Sequence, residues 1–312
     1  MISKERLLTA SIGAVLLFSG LAGVVSANSV SPITGIQMGA SLDELQSFAE
    51  KHCSETTLIE SETIHYPLAK DSEASLLCKR YTGTPIGFET AAFVIADGVF
   101  VQMEAHGVDT DSAHSALGEA DGTYLGMENY REGTIWLDSA TARLLWLTED
   151  ARHPNLFAWN NPVLGNGTST QNETTEIPAL LDFSASLEAL LPEFEQQCPQ
   201  MVVNENERIW LPNKPDQQVQ IDCFGYSFAG FERKFEAVFG DGKLQVIWVL
   251  TGKPEESRLS ARLKHDWGQP TMVNDSWEVY GDGRISLYKD KPEFLILSDE
   301  MIPLYQEMLN GD

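Results

Sequence analysis

The chain has 312 residues, of which 43% are hydrophobic and 21% charged, so it has enough apolar material for one large domain or two ordinary ones. Acidic residues outnumber basic residues 46 to 21, which gives a net charge of -25. Nucleic acids and anionic membranes are bound through clustered Lys and Arg, so we expect neither as a partner.

The first 27 residues have the pattern of an export signal. Lys4 and Arg6 form a short basic start, apolar and small residues follow over 7–25, and Val25-Ser26-Ala27 supplies the small residues that a signal peptidase requires. The alternative is a membrane-anchoring helix, because the apolar run is just long enough to span a bilayer. The glycines and the small-residue end favour cleavage. We therefore expect an exported protein without stable membrane insertion, in the periplasm or, as the alternative, outside the cell.

Two parts of the chain repeat each other. A shift of 145 residues superimposes Cys53 and Cys78 on Cys198 and Cys223. Agreement over many positions in the same order predicts two copies of one module. Further matches are Ala40-Ser41-Leu42 with Ala185-Ser186-Leu187, Asp97-Gly98 with Asp241-Gly242, Tyr130 with Tyr280, and Gly133 with Gly283.

The first helix of each copy has a recognisable start. Ser41 and Glu44 form the S-x-x-E pattern of a capping box before a helix over 41–53. In the second copy Pro192 falls inside the corresponding segment. Because proline removes a helical hydrogen bond and clashes with the preceding turn, we expect a kink there, or two short helices that meet at Pro192.

Strands and a second helix follow in each copy. Asp97-Gly98 and Asp241-Gly242 predict tight hairpins between neighbouring strands. A second helix is expected near 111–117 and near 255–267, with three strands after it. Each copy is thus predicted as helix, four strands, helix and three strands, which is an α+β fold with an antiparallel sheet.

The repeat sets the domain boundaries. We predict a signal peptide over 1–27, a first α+β module over 28–160 and a second over 179–312. The segment 161–178 is polar and contains glycines, which predicts a flexible linker between the modules. A long surface loop within one domain is the alternative, and the duplication favours the linker.

The repeat also selects the disulfides. An even number of cysteines in an exported chain predicts bridges, but four cysteines allow three pairings. If each module folds alone, the bridges are Cys53–Cys78 and Cys198–Cys223. The alternative is a reactive thiol, since His52 could lower the pKa of the adjacent thiol. No Cys-x-x-Cys occurs, so structural bridges are favoured.

Short segments carry a family resemblance. The helix start over 36–42 and the hairpins Ala96-Asp97-Gly98-Val99 and Gly240-Asp241-Gly242-Lys243-Leu244 resemble those of small exported bacterial modules. The SmpA/OmlA outer-membrane assembly lipoproteins and the β-lactamase inhibitory protein share this plan, and the latter is also a tandem duplication with one bridge per copy. The copies here are longer, and the lipidation cysteine of the assembly proteins is missing. The resemblance implies a binding module and transfers no individual functional residue.

Catalytic and metal-binding signatures are weak. His106 and His114 flank Asp109 and Asp111, but this spacing is unusual for zinc, and a solvated turn before a helix cap is favoured. The acid pairs 149–150 and 299–300 would serve glycoside hydrolysis only if two carboxylates faced one cleft. We therefore expect no catalytic residue, no metal site and no cofactor.

Aromatic residues give the strongest hint of function. They either pack in cores or stand on an open sheet face as rigid anchors for a partner. We predict a non-catalytic exported binding or interaction protein whose partner is an unknown protein or small ligand. The alternative is a cell-envelope hydrolase, which requires a deep pocket with converging His, Asp or Glu. The candidate binding-surface aromatics are Tyr130, Trp136, Trp146, Trp277 and Tyr280.

Overall fold

The computed structural model describes residues 31–159, 161–165, 174–205, 208–289 and 293–309. These residues contain two eight-stranded antiparallel sheets, one in each predicted copy, which confirms the α+β class and the duplication. The first sheet and its helices are called copy 1 below, and the second sheet and its helices copy 2. The predicted signal peptide lies outside the described residues.

Copy 1 contains two helices and eight strands. In chain order they are α1 (Leu42–His52), β1 (Cys53–Glu60), β2 (Glu73–Tyr81), β3 (Phe88–Ala96), β4 (Val99–His106), α2 (Thr110–Leu117), β5 (Gly122–Tyr124), β6 (Met127–Tyr130), β7 (Ile135–Asp138) and β8 (Arg143–Leu147).

Copy 2 repeats this series and adds a final helix. Its elements are α3 (Leu187–Gln197), β9 (Gln200–Glu205), β10 (Gln218–Phe228), β11 (Phe231–Gly240), β12 (Lys243–Leu250), α4 (Glu256–Trp267), β13 (Met272–Val273), β14 (Trp277–Tyr280), β15 (Ile285–Tyr288), β16 (Glu293–Leu297) and α5 (Met301–Leu309).

The two sheets have the same strand order. It is β1-β2-β3-β4-β8-β7-β6-β5 in copy 1 and, in the equivalent positions, β9-β10-β11-β12-β16-β15-β14-β13 in copy 2. Each sheet is also symmetric within itself, because two helix-plus-four-strand halves run from opposite edges and meet antiparallel at β4 and β8, or at β12 and β16. The chain therefore contains two levels of repetition: two copies of one module, and within each module two halves with the same order of elements.

Three expectations about elements need correction. The second half of each copy has four strands rather than three, and the missed strands β5 and β13 are only 3 and 2 residues long. Pro192 lies within one helix, α3, rather than between two short helices. Helix α5 was not expected, since copy 1 has no helix of that length at the equivalent place but short 3-10 turns at Glu149–Ala151 and Leu156–Ala158.

Local signals in the sequence are confirmed at α1 and at the hairpins. The Ser41 hydroxyl accepts from the Glu44 N–H at 3.3 Å, and the Glu44 carboxylate accepts from the Ser41 N–H at 2.8 Å. These bonds satisfy donors that a helix start leaves free. Asp97 and Asp241 both adopt positive φ, 51° and 47°, each followed by a glycine, as the tight Asp-Gly turns require.

One face of each sheet, here called the front face, packs against the helices. In copy 1 Leu45 and Phe48 of α1 and Leu117 of α2 lie in this core, and in copy 2 Phe194 and Leu263 do so. The predicted disulfides Cys53–Cys78 and Cys198–Cys223 are both formed, and each joins the end of the first helix to the neighbouring strand. Such bridges are typical of an oxidising compartment outside the cytoplasm.

The opposite faces, the back faces, are covered in different ways. The 3-10 turns after β8 pack on the back of the first sheet, together with Phe224 from β10, so the two copies are in contact. Both sheets belong to one compact unit. On the back of the second sheet, Met301 and Tyr305 of α5 pack against Val246 and Leu295.

Part of the predicted linker lies outside the described residues, namely 166–173. Its described ends are packed: Asn161 and Thr175 are buried, and the Thr175 N–H donates to Asp266 Oδ2 at 2.7 Å. Among the described residues no helix is long and apolar enough to span a bilayer.

Candidate functional site

Four of the five candidate binding-surface aromatics lie inside the protein. Tyr130, Trp146 and Tyr280 are buried in the front-face cores, and Trp136 is buried at the back of the first sheet. Only Trp277 remains partly exposed. Most of these rings therefore pack in the core, which was the alternative to exposure on an open sheet face.

The two equivalent tyrosines make equivalent bonds. The Tyr130 hydroxyl donates to Glu128 at 3.3 Å, and the Tyr280 hydroxyl donates to Glu278 at 2.6 Å. Burial raises the pKa of Tyr280, and its bond to Glu278 raises that pKa further. Retention of this Glu-x-Tyr pair in both copies shows that it is part of the framework, so we do not count it as a binding site.

Trp136 forms the floor of an open cleft at the back of copy 1, which we call the aromatic cleft. Its ring stacks on Phe157 with centroids 4.3 Å apart, and Tyr124 stands edge-on to Phe157 at 6.4 Å. The cleft has a volume of about 930 Å³, within the range of small-molecule sites. Its polar rim consists of Asn129, Glu132, Glu149, Arg152, His153 and Asn155.

Copy 2 closes the equivalent place. Helix α5 lies so near the β14–β15 turn that a Cβ on Gly283 would approach Gln306 Nε2 to 2.6 Å, whereas a Cβ on the equivalent Gly133 would meet Trp136 at 3.5 Å, an ordinary contact. In copy 2 the place of Trp136 is taken by Ser286, which is buried. Both residues occupy the same register position on equivalent strands. The aromatic cleft is therefore a difference between two copies that otherwise share one framework.

The wall of the cleft is fixed to copy 2 by a polar network. The Tyr124 hydroxyl donates to Asp222 Oδ2 at 3.1 Å, and Asn204 and Gln220 donate to the same carboxylate. Lys234 Nζ lies 3.5 Å from it. Burial raises the pKa of Tyr124, and the negative charge of Asp222 raises it further, so Tyr124 keeps the proton that it donates to Asp222 near neutral pH.

The rim connects the cleft to the one partly exposed candidate ring. His153 Nε2 lies 3.0 Å from Glu293 Oε1 in copy 2. Glu293 stands directly opposite Tyr288, which pairs with Trp277, and the rings of Trp277 and Tyr288 stack at 4.5 Å. The rim of the aromatic cleft thus meets copy 2 beside the strand that carries Tyr288.

The acidic groups of the rim do not resemble a glycosidase pair. Arg152 Nη1 lies 2.7 Å from Glu149 and 3.9 Å from Glu132, so both carboxylates share this cation. Their side chains are 78% and 88% exposed. The general acid of a glycosidase stands in an apolar pocket, whereas both of these carboxylates stand largely in water.

The acid pair 299–300 of the sequence analysis has other partners. Asp299 forms an ion pair with Arg284, and Glu300 accepts from Asn213 at 3.1 Å. Glu300 also accepts from Gln245 at 3.4 Å.

His106 and His114, the two histidines considered for a metal site, make contacts within copy 1. Asp109 caps α2 by accepting from the Ser112 N–H at 3.2 Å, and His106 lies against Glu104. His114 Nε2 lies 2.7 Å from Glu128, with the Ser139 hydroxyl 3.3 Å from the same nitrogen. One nitrogen cannot donate to Glu128 and accept from Ser139 at once, so the order needed for a nucleophile and its base is missing. No cluster that could hold a metal ion occurs among the described residues.

Comparison of the chain with family models, with curated proteins and with solved structures finds no match. The function has to be argued from the geometry of the chain itself.

Some residues of the aromatic cleft were not expected from the sequence. Tyr124, Phe157 and His153 belong to short or irregular segments with no pattern of their own. One signal did exist: the aligned copies have Trp136 in one and Ser286 in the other, and a bulky ring that only one copy keeps marks a place where their surroundings differ.

Proposed function

We propose that this protein is a non-catalytic exported binding protein, and that it recognises a ligand or partner in the aromatic cleft of copy 1. The observation that carries the proposal is the contrast between the copies. The same framework is closed by α5 in copy 2 and left open over Trp136 and Phe157 in copy 1. An apolar floor with a few polar groups around it is the usual composition of a ligand site.

Two further features support the proposal. Both copies carry a disulfide, which fits a protein that works outside the cytoplasm after removal of residues 1–27. We place it in the periplasm. The resemblance of its helix starts and hairpins to exported binding modules agrees with this class of function.

Filling the cleft tests the proposal. Asn129 lies on β6 directly opposite Trp136 and lines the cleft. The Asn129→Tyr variant places a ring over the floor at a strand position where aromatic residues are well tolerated. We expect the purified protein to retain a set of compounds or proteins from its own envelope fraction, measured by mass spectrometry, and Asn129→Tyr to lose at least one of them by tenfold or more.

The matched control is Thr123→Tyr. Thr123 is exposed on the neighbouring strand β5, pairs with Glu128 and does not line the cleft, so this variant should retain the full set. Circular dichroism and thermal unfolding would establish that both variants are folded. Identical retention by all three proteins, or no retention by the unchanged protein, would refute the proposal.

A further inference from the structure

We propose a second binding site, separate from the aromatic cleft, that takes an amphipathic organic anion: a carboxylate head with an apolar chain. The site is a cleft of about 420 Å³ where the two copies meet, which we call the arginine cleft. Thr63 and Ile64 of copy 1 line one side, and Phe231, Arg258, Leu259 and Arg262 of copy 2 line the other.

The charge of this cleft is opposite to that of the chain. Two arginines one helical turn apart on α4 face it, and none of the described residues that line it is acidic. In a protein with 46 acidic and 21 basic residues, this composition is unusual. Arg258 and Arg262 at positions i and i+4 lie on the same face of the helix. Arg262 is paired with Asp266, its Nε 3.0 Å from Oδ2, so Arg258 is the arginine proposed to meet the ligand.

Arg258 shares its ion-pair partner, Glu255, with Arg233. Its guanidinium donates to the carbonyls of Pro67 and Ala69, which are neutral acceptors. The nearest carboxylate, Glu255, lies 3.9 Å away and is already bound by two nitrogens of Arg233 at 2.8 Å. The Arg258 side chain is 31% exposed, and this partial burial lowers its pKa. A ligand anion would offset the cost of removing the cation from water.

The guanidinium is also held in place before any ligand arrives. The Phe231 ring lies under it at 5.2 Å, and the two carbonyl bonds fix its plane against copy 1. A positioned guanidinium loses little freedom on binding, and its geometry suits a carboxylate. Leu259 is buried and Ile64 is half-buried, so the same cleft offers apolar surface to a chain.

The net charge of -25 repels anions at long range. This repulsion is screened beyond about 8 Å at physiological salt, whereas the contact with Arg258 is short. The local cation therefore decides whether an anion is held once it is inside the cleft.

Octanoate is the probe, because it combines the two parts of the proposed ligand. Acetate keeps only the head, and octylammonium keeps the chain with the opposite charge. By isothermal titration we expect octanoate to bind the purified protein at least tenfold more tightly than acetate or octylammonium. In nitrogen-15 NMR spectra the Nε–H signal of Arg258, identified by its loss in Arg258→Gln, should shift with octanoate.

Variants locate the site. Arg258→Gln should weaken octanoate at least tenfold and Arg258→Lys by less, while Lys51→Gln, the same charge change at an exposed position on α1, should have no effect. Thr63→Trp should block the cleft from its exposed rim, and the neighbouring Glu62→Trp should not. Because Thr63 makes none of the bonds that join the copies, the Thr63→Trp variant tests the location of the site even if Arg258→Gln fails to fold.

The proposal is overturned if octanoate binds no better than acetate or octylammonium. It is equally overturned if octanoate binds the Thr63→Trp variant with unchanged affinity. Neither result bears on the aromatic cleft, whose test uses other variants.

Discussion

Asp97 shows how one side chain organises a neighbouring loop. Its carboxylate accepts the N–H groups of Lys70, Asp71 and Ser72 at 2.9, 2.7 and 2.9 Å, so the β3–β4 hairpin holds the loop that precedes β2. Partial burial alone would raise the pKa of Asp97, but these donors outweigh it and the pKa is lowered. In copy 2 the Asp241 carboxylate accepts one such bond, from the Gln217 N–H at 3.0 Å.

The Asp97→Asn substitution should reveal this charge through its pH dependence. Asparagine keeps the shape and tolerates the positive φ, but it has one acceptor oxygen instead of two, so at least one of the three bonds is lost together with the charge. We expect a loss of about 1 kcal/mol in the free energy of unfolding at pH 7. Because the folded pKa lies below the ordinary value near 4, the contribution of Asp97 is present above about pH 4 and is lost as the pH falls through the folded pKa.

Urea unfolding at pH 7 and at pH 2.5 measures the difference between the unchanged protein and the variant. The difference should shrink at the lower pH, and Asp241→Asn, which removes the charge from a single bond, should give a smaller effect at pH 7. A difference that stays constant or grows on acidification would contradict the role assigned to the Asp97 charge.

Helix α5 is the element that most clearly separates the two copies. Met301 is fully buried and Tyr305 nearly so, both against the back of the second sheet. Truncating a fully buried methionine to alanine removes apolar contacts and leaves a cavity, so Met301→Ala should lower the free energy of unfolding by about 3 kcal/mol. Thermal or urea unfolding measures the change.

The control for α5 is Glu307→Ala on its exposed side, which should stay within about 0.5 kcal/mol of the unchanged protein. A small effect of Met301→Ala would mean that α5 is loosely held. In that case the closure of copy 2, on which the comparison with the aromatic cleft depends, would not be a stable property of the protein.

The elements that could be predicted are those whose signals lie within a few residues. The capping box at Ser41 and the Asp-Gly hairpins were of this kind, and the repeat then fixed the disulfides. Strands β5 and β13 are too short to show alternation, and their pairing depends on the neighbouring strand. Helix α5 was missed because the repeat predicts the same elements in both copies. At this place the copies differ, since the segment 149–158 of copy 1 forms only short turns.

The clefts could not be predicted because they are properties of the whole molecule. At the aromatic cleft, Tyr124 and Phe157 of copy 1 meet Phe224 of copy 2, whose ring centroid lies 5.8 and 5.6 Å from theirs. Sequence periodicity indicates which face of a strand is buried, but not which other surface covers it. The relation of the two copies therefore had to be observed.

The contact between the copies can be tested at Gly252. A Cβ there would come within 2.4 Å of Leu68 Cδ2, which belongs to copy 1, although the backbone of Gly252 is in an ordinary extended conformation. Gly252→Ala should therefore lower the free energy of unfolding by about 1 to 3 kcal/mol through overpacking. Leu68→Ala removes the clashing atoms, so the double variant should lose less than the two single variants together.

This double-mutant cycle distinguishes a packed pair from two copies that move independently. Residues in contact give coupling energies of about 0.5 to 3 kcal/mol, whereas separated residues give additive effects. We expect coupling of that size in urea unfolding of the four proteins. Additive effects would mean that Gly252 and Leu68 do not meet in solution, and the arginine cleft, which is formed at the same contact, would then lose its copy 1 wall.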